Sequence, residues 1–116
     1  FGCDGTQSVN YPDYAHLVCA AIQNGEAPLG ILVCGTGIGM SMAANKHRGI
    51  RAALCENEFS AEMTRRHNDA NVICMGARVI SKEKAIALTD IFVTTPYEGG
   101  RHDARVAMLN ALDDQK

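Results

Sequence analysis

The stretch Leu29-Gly30-Ile31-Leu32-Val33-Cys34-Gly35-Thr36-Gly37-Ile38-Gly39 restricts the fold of this chain more than any other. A short apolar run bounded by glycine suits a strand buried on both faces of a parallel sheet. The glycines that follow open a loop toward a helix expected from Met40 to Lys46. Lacking Cβ atoms, Gly35, Gly37 and Gly39 let backbone N–H groups converge on an anion at the positive end of that helix. A thiol at this junction, Cys34, has a reason to ionise there. The same spacing also fits a buried core cysteine followed by a tight turn. The loop is neither the dinucleotide fingerprint nor the P-loop. Its order suits a small anionic group better than a pyrophosphate, and Thr36 adds a hydroxyl that can donate or accept.

The rest of the chain alternates in the manner of an α/β layered fold. A helix is expected over Asp13–Asn24, with Ala15, Val18, Cys19 and Ile22 on one face and Gly25 as a stop. Strands are expected over Leu29–Cys34, Ile50–Cys55 and Asn71–Met75. Between them, Phe59–His67 reads as a helix with Phe59, Met63 and Arg66 at helical spacing. Ser81 suits an N-cap for a helix over Lys82–Val93, Thr94–Gly100 reads as a loop, and His102–Asp113 as a last amphipathic helix carrying Val106, Leu109 and Leu112. Helices between strands imply a parallel sheet in a single domain over residues 1–116. Ligands of such sheets bind at the carboxyl ends of strands, where the Cys34 loop lies.

Bulk composition narrows the partners. A net charge of −2 gives no field that would hold nucleic acid. No apolar run approaches the ~20 residues of a membrane-spanning helix, and no stretch resembles a signal peptide. The five cysteines are odd in number and dispersed, which favours a reduced, cytoplasmic protein over a disulfide framework. With no C-x-x-C or H-x-x-x-H spacing, no structural metal is expected.

Three further groups carry chemistry. His67-Asn68 follows Arg65-Arg66 at a helix end. Capping and dipole compensation explain such residues, as does an imidazole placed to transfer protons near neutral pH. Arg101 and Arg105, spaced i, i+4 at the start of the last helix, run against the dipole preference for acids there. An anion gripped between them would offset that conflict, and phosphate suits arginine; the alternative is a solvated basic face. Arg78, just past the third strand, reads either as a surface arginine or as a second anion contact.

Taken together, Tyr11-Pro12-Asp13-Tyr14-Ala15, Cys34-Gly35-Thr36-Gly37-Ile38-Gly39, Ala43-Ala44-Asn45-Lys46, His67-Asn68-Asp69-Ala70-Asn71, Gly76-Ala77-Arg78 and Tyr97-Glu98-Gly99-Gly100-Arg101-His102 resemble the ribose-5-phosphate isomerase B family, which includes galactose-6-phosphate isomerase subunits. The resemblance implies a Rossmann-like αβα sandwich, no cofactor and no metal, and a homodimer or tetramer with active sites at subunit interfaces. It implies an aldose–ketose isomerase of a sugar phosphate, with ribose 5-phosphate as the expected substrate. A hexose 6-phosphate such as allose or galactose phosphate is the alternative, and a non-catalytic phosphosugar-binding fragment is a second. By position, Cys34 would be the base, Gly35 to Gly39 with Thr36 would hold the enediolate, and His67 would open the sugar ring. Asn68 would bind hydroxyls, Arg101 and Arg105 the phosphate, and Arg78 would be a further contact. The alignment sets Phe1 at the family's loop ahead of Tyr11-Pro12, so the family's first strand and helix are expected to lie before Phe1. The Asp-His pair which that strand carries in the family then matches no residue here. A chain consisting of these residues alone would be expected to aggregate or to need a partner, and to be inactive.

Overall fold

The computed structural model describes every residue from Phe1 to Lys116. Three parallel strands, β1 (Gly30–Cys34), β2 (Ala52–Leu54) and β3 (Val72–Gly76), form one sheet in the order β1-β3-β2. β3 is central and all five of its residues are buried, as the continuous apolar run Val-Ile-Cys-Met requires. Register pairs Gly30 with Val72 at one end of the sheet and Cys34 with Gly76 at the other.

Helices cover both faces. α1 (Tyr11–Gln23) and α2 (Ile38–Ala44) pack on one side, where Ala15, Cys19, Leu32, Met40, Ala44, Ile50, Val72 and Cys74 form a core. α3 (Glu58–Asn68) and α4 (Lys82–Thr94) cover the other over Cys55, Ala61, Ala70, Ile73, Met75, Leu88 and Phe92. The alternation of β3 side chains between the two clusters is the period-2 geometry of a strand. α5 (Asp103–Ala111), between two 3-10 turns at Gly100–His102 and Leu112–Gln115, contributes only Val106 to the interior. No helix is long and apolar enough to cross a membrane.

The α/β fold with a parallel sheet is therefore present, with local departures. β2 is shorter than the expected Ile50–Cys55. The Asn71 carboxamide accepts the Arg51 N–H at 2.8 Å, so a side chain stands where ladder pairing would begin. Asn45 holds the outer edge of β2, accepting the Ala52 N–H at 2.8 Å and donating to its carbonyl at 3.0 Å. On α3 the expected apolar face fails, because Phe59 is 72% exposed and Ala61 and Thr64 face inward instead. Small inward residues let this helix sit close to the sheet. Leu109 and Leu112, expected to be buried by the last helix, are exposed. Ser81 caps α4 as expected, its Oγ accepting the Lys84 N–H at 3.1 Å.

Candidate active site

The candidate residues fall into two groups. The first sits where β1 and β3 end. α2 starts at Ile38, so Ile38 and Gly39 belong to its first turn and the loop proper is Gly35-Thr36-Gly37. Gly37 adopts φ +80°, which L side chains rarely reach, and a Cβ there would stand 2.8 Å from the Met75 carbonyl carbon. The loop presses on β3 from above: a Cβ on Gly76 would meet the backbone of Thr36 at 2.6 Å. This folding-over turns the Gly37 N–H onto the Cys34 sulfur at 3.2 Å. α2 spans only seven residues, so this aimed amide, rather than a long helix dipole, faces the sulfur. Thr36 Oγ1 accepts the Ile38 N–H at 3.2 Å. Arg78 belongs to this group. Its N–H donates to the Gly35 carbonyl at 2.9 Å and its side chain lies along Gly35.

The second group surrounds the end of α3. The last turn is rich in cations, and the structure divides their labour. Arg65 donates to the Ala70 carbonyl at 2.6 Å and pairs with Asp69 at 3.0 Å, while Arg66 pairs with Glu62 at 2.6 Å. These two arginines follow the capping reading. Asp69 ends the helix at φ +48°, an uncommon conformation for a non-glycine residue, and Arg51 braces it with a hydrogen bond to its carbonyl at 2.9 Å. His67 is left free for other contacts. Its Nε2 lies 3.6 Å from Glu98 Oε1, and its ring stacks on His102 at 4.3 Å between centroids with 18° between planes. Glu98 is placed by its own N–H, which donates to the Arg66 carbonyl at 3.0 Å.

Arg101 and Arg105 stand beside this stack. Burial first, then His67 and Arg101 with Arg105, holds the His102 imidazole below the ordinary histidine range, opposed by Glu98. The two arginines do not lie on one continuous helix as expected. Arg101 is in the 3-10 turn and Arg105 in α5, whose first turn carries Asp103, held by the Tyr97 hydroxyl at 2.8 Å. Asn68 and Arg105 line one cleft of about 430 Å³ with Met108, Leu109 and Leu112.

The two groups occupy opposite ends of the sheet. α3 connects two parallel strands and therefore runs back against them, so its last residues lie where strands begin. Hydrogen bonds from Ala70 N–H to Thr64 and from Asn71 N–H to Arg51 fix that placement. Cys34 stands at the far end of β1, a strand length of about 13 Å away at ~3.3 Å per residue. The structure thus joins Cys34, Thr36, the loop glycines and Arg78, joins His67, Asn68, Arg101 and Arg105, and keeps the two sets apart.

Sequence spacing had no means of finding Glu98 and His102. Both sit in an aperiodic, glycine-rich segment, and only the fold carries them to His67. With His67 they bring one ligand atom each to within 4.8 Å of one another, the one cluster able to attract a metal ion. Imidazole nitrogens bind metals in the ring plane, however, and two stacked, nearly parallel planes share no nearby point. The rings would have to unstack, against two adjacent guanidinium groups. The three thiols that the fold buries lie in the two cores, where burial pushes Cys19 and Cys55 up to about 11 and Cys74 to about 12.

Comparison with known proteins agrees with this fold. The family described as Ribose/Galactose Isomerase matches residues 1–109. Ribose-5-phosphate isomerase B of Escherichia coli strain K12 is 44% identical over 115 residues, covering 99% of this chain and 77% of that protein. Among solved structures, ribose-5-phosphate isomerase B of Clostridium thermocellum superposes with a TM-score of 0.96 at 43% identity, over 99% of this chain and 78% of the other. Type B ribose 5-phosphate isomerase of Leishmania infantum gives 0.94 at 49% identity, over 99% and 76%.

Proposed function

The chain belongs to the ribose/galactose isomerase family, and from that premise we propose that it interconverts D-ribose 5-phosphate and D-ribulose 5-phosphate through an enediolate. The observation that carries this reading is Cys34, its sulfur facing the Gly37 amide at a strand end roofed by glycines. The thiolate removes the C2 proton of the open aldose and returns it to C1. N–H groups of residues 35–39, with Thr36, hold the oxygen on which charge develops. His67 opens the furanose by moving a proton between ring oxygen and anomeric hydroxyl, Asn68 binds sugar hydroxyls, and Arg101 with Arg105 holds the phosphate. Arg78 is a further contact on the Cys34 side. Five free cysteines suit a reducing, cytoplasmic setting.

A base and a ring-opening imidazole at opposite ends of one sheet cannot serve one sugar within one chain. The reading therefore includes a second copy: a symmetric dimer, alone or within a tetramer, in which the Cys34 end of one protomer meets the His67 end of its partner. Chains carrying Cys34→Ala and chains carrying His67→Ala, each inactive alone on ribose 5-phosphate, are expected to recover activity when unfolded and refolded together. Random assortment gives one intact site in each mixed dimer and roughly a quarter of wild-type activity. No recovery, despite mixed dimers shown by mass spectrometry, would remove the shared site. Faster turnover of a hexose 6-phosphate by the wild-type protein would move the substrate assignment.

A further inference from the structure

His102 has the environment of a core residue in a loop of charged neighbours. It is 8% exposed, one of two buried polar residues, and its principal partner is the face of another histidine. A surface cap or a solvated base needs no such arrangement. A ring whose orientation matters does, because an imidazole turned about its χ2 bond aims its nitrogens elsewhere.

We propose that His102 is a positioning residue, whose ring face fixes the plane of the His67 imidazole so that Nε2 stays directed at Glu98. The inference rests on the ring-opening role given to His67 above and extends it to two side chains with no role so far. The stack sets one rotational coordinate of His67, and the Glu98 carboxylate 3.6 Å from Nε2 sets the direction along it. Charges facing the pair come from each neighbouring segment: Glu98 from the loop, Arg101 from the 3-10 turn and Arg105 from α5. Two stacked imidazoles beside two guanidinium groups do not both take a proton. The more buried ring, with the arginines near it, is the one held neutral. The other ring faces the Glu98 carboxylate. Glu98 fixes the tautomer, because a carboxylate beside Nε2 favours a proton on that nitrogen and leaves Nδ1 to meet the sugar.

Two substitutions separate positioning from proton chemistry. His102→Phe keeps a ring face against His67 and removes both nitrogens, while His102→Ala removes the face. On ribose 5-phosphate, His102→Ala is expected to lose about 10- to 100-fold in kcat, the scale of a misplaced reacting group. His102→Phe should retain most of it, with the acid limb of the pH profile where the wild-type limb lies. Ribulose 5-phosphate, which has no ring to open, should be turned over by both variants at rates near wild type. Equal losses in the two variants, a displaced limb in His102→Phe, or full activity in His102→Ala on the ring-closed sugar would each overturn the proposal.

His67→Ala assayed in parallel keeps the underlying reading separate, since undiminished ring-closed turnover in that variant defeats ring opening by His67 itself. Positioning is then still judged by NMR on the folded variants. Ring protons of His67 lie over a neighbouring aromatic face, so they should shift downfield in His102→Ala and keep an upfield position in His102→Phe. Unchanged His67 resonances in His102→Ala would show that the stack does not position the ring.

Discussion

Replacing Cys34 by alanine removes the proposed proton acceptor and leaves in place both arginines proposed to hold the phosphate, so binding and turnover should part company. Cys34→Ala is expected to abolish isomerisation while a phosphate-bearing inhibitor binds with nearly unchanged affinity. Arg101→Ala or Arg105→Ala should do the reverse in kind, weakening binding by about 1.5–3 kcal/mol, the range for a hydrogen bond to a charged group. Isothermal titration beside initial-rate assays distinguishes the two outcomes. Near-normal turnover in Cys34→Ala would dismiss it as the base. At this scale the sequence singles out residue types that are rare in their context, such as a cysteine before alternating glycines, while Arg101 and Arg105, expected on one helix, are divided between a 3-10 turn and α5. It gives no role to Glu98 and His102, although both lie in a segment that carries the family resemblance. Nothing in the segment Tyr97–His102 says that a backbone hydrogen bond from Glu98 to Arg66 will bring both side chains to His67.

The loop between β1 and α2 is shaped by what lies beneath it. Because a Cβ on Gly76 would stand 2.6 Å from the carbonyl carbon and oxygen of Thr36, Gly76→Ala cannot be absorbed by a side-chain rotation. It should lift the loop, cost about 1–3 kcal/mol of stability as overpacking does, and lower turnover by separating the Gly37 amide from Cys34. Gly39→Ala offers the comparison, since the nearest atoms there are the far end of the Tyr11 ring, which can swing aside. Denaturant melts and kcat for the two variants check this; a more damaging Gly39→Ala would show that the strand end does not shape the loop. Elements with strong local patterns, β1, β3, α1 and α4, were readable within a residue or two. β2 was misread because its limits are set by the side-chain amides of Asn45 and Asn71, which imitate strand partners and leave no period in the sequence.

Across the whole molecule, exposed apolar surface gathers where the sheet and α5 lack cover. Met108 on α5 is 69% exposed, with Leu109 and Leu112 beside it, and Ile31 and Val33 are partly bare along the outer edge of β1. Asn45 occupies the edge of β2, whereas the β1 edge remains able to pair with another strand. Fold class was legible from alternation of elements, but the division of the site between the two ends of the sheet was not. It follows from the direction of α3 between parallel strands, which only topology supplies. That division changes what an activity measurement reports. If neither end can act alone, a single chain, however it folds, is not yet a catalyst. At concentrations well below the dimer dissociation constant, doubling the protein should quadruple the initial rate, and the dependence should become linear once the chains are paired. A rate that stays proportional to protein down to dilutions where sedimentation finds only single chains would contradict this. Otherwise the reaction order in enzyme is itself a count of the chains needed to make one site.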